Sequence, residues 1–288
     1  MAEKDRKMHQ KRGIFMPTTY AHYKFGKEVI SALPRPLQSS IENNRELFDI
    51  GVHGPDLLFY YKALIKNPVN TQGYELHDKM ADEFFNNAIE VIKKAEDPAA
   101  ARAYIYGFIC HFALDSECHP YIEKMIKTSG LSHSEIEMEF DRLLLKEDYI
   151  NPVRYLATGH IHPNRKNASV IAPFFHDVTP ELIEKSMRSM IFCHKVLLAP
   201  GKAKRNLIYG CLKLAGHYED KHGMVMSLEP NPACKEYCQL LKRLYAGAVP
   251  LAAGLIIQYQ KALFDGKELP ERFHRTFGAG DKWQEVGS

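Results

Sequence analysis

Apolar residues recur at three- and four-residue intervals along most of this chain, as at Phe84, Phe85, Ala88, Val91 and Ile92. That period matches the 3.6-residue helical turn, not the two-residue alternation of a half-buried strand. Helix-start signals sit at matching points: Asp97-Pro98, Ser132 with Glu135, Thr179-Pro180 and Asn231-Pro232. In each, a small polar side chain can accept from the first free amides, or a proline presets the first helical φ. The pattern predicts helices over 22–32, 36–47, 74–95, 98–117, 133–146, 179–198, 203–216 and 232–264. Pro250 is expected to kink the last, and Pro120 to end or bend the fourth. Residues 147–178, with several Pro, Asn and His, read as a long connection. No strand pair, repeat or low-complexity segment interrupts the pattern. The expected fold is all-α, a single multi-helix domain over 16–288 behind a basic tail at 1–15.

Composition narrows this only a little. Of 288 residues, 45% are hydrophobic and 25% charged, as in ordinary globular proteins. The net charge of +3 gives no overall nucleic-acid footprint. The longest apolar stretch, around 246–257, contains Pro250 and reads as core, so no bilayer-spanning segment is expected. The charged N-terminus carries no apolar signal region, which points to a cytoplasmic protein. Six cysteines, at 110, 118, 193, 211, 234 and 238, form no CxxC pair and read as free thiols.

The chemistry lies in the first half. HFALDSECHP places His111, Asp115 and His119 on successive turns of one helix, and SHSEIEMEF places His133 and Glu137 four apart on another. Residues at i and i+4 share a face, so each pair can meet one ion. Buried imidazole and carboxylate need partners, and this donor set suits zinc, which brings the pKa of water toward neutrality. His22, Asp56 after Gly54-Pro55, and His77 are weaker signals taken singly. His53, Asp78 and Glu117 are candidates to support the ligands from outside. Leu57 to Tyr61 read as core or as a pocket wall, His160-x-His162 as plain loop, and Glu135, Glu139 and Asp141 as a solvated face.

Taken together, GVHGPDLLFYY, ELHDKMADEFF, HFALDSECHP and SHSEIEMEF resemble the bacterial zinc-dependent phospholipases C. The resemblance implies an all-helical fold with two or three zinc ions and ligands His22, Asp56, His77, His111, Asp115, His119, His133 and Glu137. It implies that Asp56, His77, His111 and Asp115 surround one ion, and that His119, His133 and Glu137 hold another. His22 and a bridging Asp115 would contribute to a third, and Asp56 would be the general base. The implied reaction is hydrolysis of a phospholipid headgroup bond, with transient membrane-surface contact and no obligate protein partner.

Two features depart from the family pattern. Its secreted members ligate zinc through a mature N-terminal tryptophan, whereas the one tryptophan here is Trp283. The expectation is that translation starts at Met16 and frees the amine of Pro17 to reach the cluster. The Asp115-to-His119 interval is also two residues shorter than usual, which makes His119 the weakest match. Rival readings are a zinc nuclease or other soluble phosphodiesterase, an HD-type phosphohydrolase using His77-Asp78, and a non-catalytic metal-binding helical protein. The near-neutral charge weighs against nucleic acid, and the HD reading leaves His133 and Glu137 unexplained.

Overall fold

The computed structural model describes residues 19–280 and 283–287; the expected tail at 1–15 and the start at Met16 and Pro17 lie outside the described residues. Twelve α-helices and short 3-10 turns make up the described chain, with no strand beyond one isolated bridge, Met80 to Thr276. The α-helices are α1 (Thr19–Ala32), α2 (Arg35–Glu42), α3 (Arg45–Gly51), α4 (Pro68–Asp78), α5 (Ala81–Lys94) and α6 (Pro98–Ser129). They continue as α7 (His133–Glu147), α8 (Arg165–Ile171), α9 (Pro180–Leu197), α10 (Lys202–Leu214), α11 (Tyr218–Lys221) and α12 (Lys235–Asp265). A 3-10 helix, Gly54–Tyr60, separates α3 from α4.

α6 is the axis of the molecule, with α1, α3, α5 and α12 packed around it. Every residue from Ala103 to Ser116 is buried, so this segment is enclosed on all sides and carries His111 and Asp115 into the centre of the core. Two glycines set how closely α3 approaches it. A Cβ at Gly51 would lie 2.1 Å from the carbonyl oxygen of Tyr104, and one at Gly107 would lie 2.2 Å from that of Phe48. Gly107 stands one turn before His111, and Gly51 leads into the 3-10 helix that carries Asp56, so this backbone contact brings the two ligand-bearing segments together.

Several expected boundaries move for tertiary reasons. The helix expected over 74–95 is two helices, because Lys79 and Met80 are extended (ψ 156° and 132°). Met80 pairs with Thr276, and the Ala81 amide donates to the Arg275 carbonyl at 2.9 Å, so a distant segment holds the break open. α4 also begins earlier than expected, at a capping box between Asn67 and Asn70. The helix expected over 36–47 divides at Asn44 (φ −131°). α6 runs through Pro120 to Ser129 and stops at left-handed Gly130 (φ +73°). The connection at 147–178 contains α8, capped by Asn164. α12 is continuous past Pro250. By length and composition the helical stretch Pro232–Asp265 also passes as a candidate membrane span, contrary to the sequence expectation. Its Leu241, Tyr245, Ala252, Ile256 and Tyr259 are buried in the core.

Candidate metal centre

Five elements deliver the eight expected residues to one place. His22 comes from α1, Asp56 from the 3-10 helix and His77 from the end of α4. His111, Asp115 and His119 come from α6, and His133 and Glu137 from the first turns of α7. Their donor atoms form three groups, each within 4.8 Å: His22, His111 and Asp115; Asp56, His77 and His111; His119, His133 and Glu137. Asp115 lies between the groups. One of its oxygens is 3.1 Å from His22 Nε2, and the other is 3.1 Å from His111 Nε2 and 3.7 Å from His119 Nδ1. His77 Nε2 is 3.0 Å from Asp56 Oδ1, and Glu137 Oε1 is 2.9 Å from His133 Nε2 and 3.7 Å from His119 Nε2. The shortened spacing therefore does not displace His119. Because α6 continues through Pro120, His119 stays one turn beyond Asp115 and faces Glu137.

Burial and charge act against each other on these groups. Burial by itself would lower the imidazole of His119, but Asp115 and Glu137 outweigh it and raise the pKa to about 9. Burial would raise Glu137, but His133 and His119 bring it down to about 2. The same contest leaves Asp115 well below the carboxylate range, beside His111, His119 and His22. His22 is raised by Asp115, and His77 by Asp56, in each case against burial. Without a cation, these ion pairs carry the charge of the centre.

The ligand set is held from outside. His77 donates from Nδ1 to the Gly73 carbonyl and His119 donates from Nδ1 to the Phe277 carbonyl, each at 2.9 Å. Both rings therefore keep a proton on Nδ1, so that loss of the Nε2 proton would free that nitrogen for a metal, as when a backbone carbonyl fixes the tautomer of a histidine ligand. Asp141 accepts from the amides of Tyr20 and Ala21 at 3.1 and 2.8 Å, which ties the first turn of α1 beside His22. The capping box of Ser132 and Glu135 starts α7 at His133, as expected.

Asp141 was expected on a solvated face with Glu139, yet both are buried, and Glu139 pairs with Arg142 at 3.0 Å. No sequence signal marks Phe277, since any residue offers the same carbonyl. His53 belongs to none of the three groups and shares a 2.7 Å hydrogen bond with His160, which lies in a turn, as expected, but is buried and stacked on Tyr23. Asp78 is exposed and belongs to none of the three groups, and Glu117 pairs with Arg272. Leu57 to Tyr60 are core.

The residues fit zinc on the chemistry of their donors. Asp56 Oδ2, His111 Nδ1 and Glu137 Oε2 are buried without a hydrogen-bond partner, an arrangement that a bound cation would relieve. Nitrogen and carboxylate donors without thiolate also match hydrolytic zinc sites.

No curated protein and no solved structure gives a significant match to this sequence. The family described as zinc dependent phospholipase C matches residues 21–189, more than half of the chain and a span that contains all eight residues of the centre. With that match and the all-helical fold, the chain belongs to the zinc-dependent phospholipase C family.

Proposed function

We propose that this protein hydrolyses the phosphodiester bond of a phospholipid, releasing diacylglycerol and a phosphorylated headgroup. The observation that carries the reading is the convergence of eight histidine and carboxylate side chains from five elements on one centre, in a chain of a zinc-dependent phospholipase family. His22, His111 and Asp115, with Asp56 and His77 beside them, would hold one part of a two- or three-zinc cluster; His119, His133 and Glu137 would hold the other. Bound zinc would supply Lewis acidity to the phosphoryl oxygens and lower the pKa of water.

The chain's own residues do the rest. Asp56 lies beside His77, with Oδ1 3.0 Å from His77 Nε2 and Oδ2 without a hydrogen-bond partner. On this reading Asp56 would take the proton of the water that attacks phosphorus, while the alkoxide of diacylglycerol leaves opposite it. The buried imidazoles orient the anionic ester, and the Phe85, Phe108, Phe112 and Phe277 cluster behind them excludes bulk water from that side. Exposed Asp78, absent from the three groups, gives no support to an HD-type reaction.

The test is metal content per chain by plasma mass spectrometry, with bis-p-nitrophenyl phosphate and p-nitrophenylphosphorylcholine hydrolysis on the same sample. Two or three zincs and chelator-sensitive turnover are expected. A zinc-loaded protein that hydrolyses neither ester nor phospholipid would overturn the proposal.

A further inference from the structure

Helix α10 leaves large apolar side chains on its exposed side. The one buried residue in it is a cation, Arg205, whose Nη2 donates to the carbonyls of Ala199 and Met226 at 2.8 Å each. Leu207 and Leu214, two turns apart on one face, are 68% and 92% exposed, and Cys211 between them is exposed too. A helix lying on a water-facing surface turns its leucines inward, because burying them is what holds it there. α9 adds to the pattern. Phe192 and Val196, one turn apart, are 66% and 40% exposed. Lys204 Nζ ties the two helices by donating to the carbonyls of Lys195 and Leu198 at 2.8 Å.

The stretch of chain that carries these residues has charge of one sign. Between Glu184 and Glu219 the sequence holds seven Lys and Arg and no Asp or Glu. Lys195, Lys202 and Lys213 are exposed. Outward leucines with a cationic margin complement an anionic lipid interface, where apolar side chains enter the acyl boundary and lysines meet headgroup phosphates. A second copy of the chain on the same patch would set cation against cation. The location also suits the chemistry. α9 packs against the 3-10 helix that carries Asp56, and His194, flanked by those exposed residues, has its Nε2 3.1 Å from Tyr60 Oη.

We propose that the α9–α10 face docks on an anionic lipid bilayer, an inference that rests on the phospholipase reading for its choice of partner. The test is flotation of the zinc-loaded protein with vesicles of phosphatidylglycerol and phosphatidylcholine, or of phosphatidylcholine alone. The anionic vesicles are expected to capture about tenfold more protein, with capture falling as salt is added. Leu207→Glu with Leu214→Glu, and separately Lys202→Glu with Lys213→Glu, should each lower capture about tenfold or more. Both leave bis-p-nitrophenyl phosphate turnover unchanged, since none of these residues touches the centre. The proposal is overturned if the wild type does not float, if the variants float as well as it does, or if the leucine variant instead dissolves a dimer without affecting vesicle capture. Loss of turnover on the soluble ester by the wild type would count against the phosphodiesterase reading alone, because flotation requires no catalysis.

Discussion

His119 donates its Nδ1 proton to the carbonyl of Phe277 at 2.9 Å, across 158 positions of sequence. One residue further on, the Gly278 amide donates to the carbonyl of His77 at 2.9 Å. The Phe277–Gly278 segment therefore bonds to two residues of the candidate centre, to the ring of His119 and the backbone of His77, while Phe277 itself packs on His77 and His111. In zinc-loaded protein His119 should carry its proton on Nδ1, readable from two-bond nitrogen–proton couplings. Gly278→Pro removes the donor to His77 and should weaken zinc binding about 10- to 100-fold in a chelator competition. Unchanged affinity would show the segment to be packing alone.

Glu137 and Asp78 separate two chemistries. Glu137 is buried against His133 and His119, and Asp78 is exposed. Glu137→Ala should lower phosphodiester turnover about a thousandfold or more, several kcal/mol of transition-state stabilisation. Asp78→Ala should leave it within about twofold. The opposite order, measured as kcat/KM, would restore the HD-type reading.

Metal-free and zinc-loaded protein should respond to pH in opposite directions. His119, raised to about 9, contributes stability that is fully present below its ordinary value near 6.5 and is lost as pH rises through 9. Glu137, lowered to about 2, contributes stability present above its ordinary value of 4.5 and lost as pH falls toward 2. Chelator-treated protein should thus melt at lower temperature at pH 9 than at pH 6.5. Zinc needs the neutral imidazole, so the stabilisation gained on adding zinc should grow over the same interval. Parallel melting curves with and without zinc would contradict this.

Gly54 leaves no room for a side chain. Its φ is +50°, and a Cβ there would lie 2.3 Å from the His111 ring. Gly54→Ala should cost about 1–3 kcal/mol from backbone strain alone. It should also push His111 from its place between two of the three groups, so that zinc affinity falls together with melting temperature. A variant with native affinity would show that the ring can move without consequence.

Much of this protein follows from local rules that sequence carries directly. Helical periodicity is local, so the all-α class and the core of each long helix were readable. The i, i+4 pairs His111/Asp115 and His133/Glu137 share faces by helix geometry, whatever packs beside them. The Ser132–Glu135 box marked the start of α7 for the same reason.

Other features depend on contacts between distant segments and leave no local trace. The break at Lys79 and Met80 exists because Thr276 and Arg275 pair there, although the apolar period runs through it. Phe277 acts through a carbonyl that any residue would offer, and Asp141 looked solvated until α1 supplied two amides to its carboxylate. The exposure of Leu207 and Leu214 on α10 is likewise invisible in its periodicity, because a helical period gives the width of an apolar face but not which side the rest of the chain will cover. Sequence alone determined which residues can share a turn. Tertiary structure decided which turns meet, because burial and backbone hydrogen bonds between remote segments fix that arrangement.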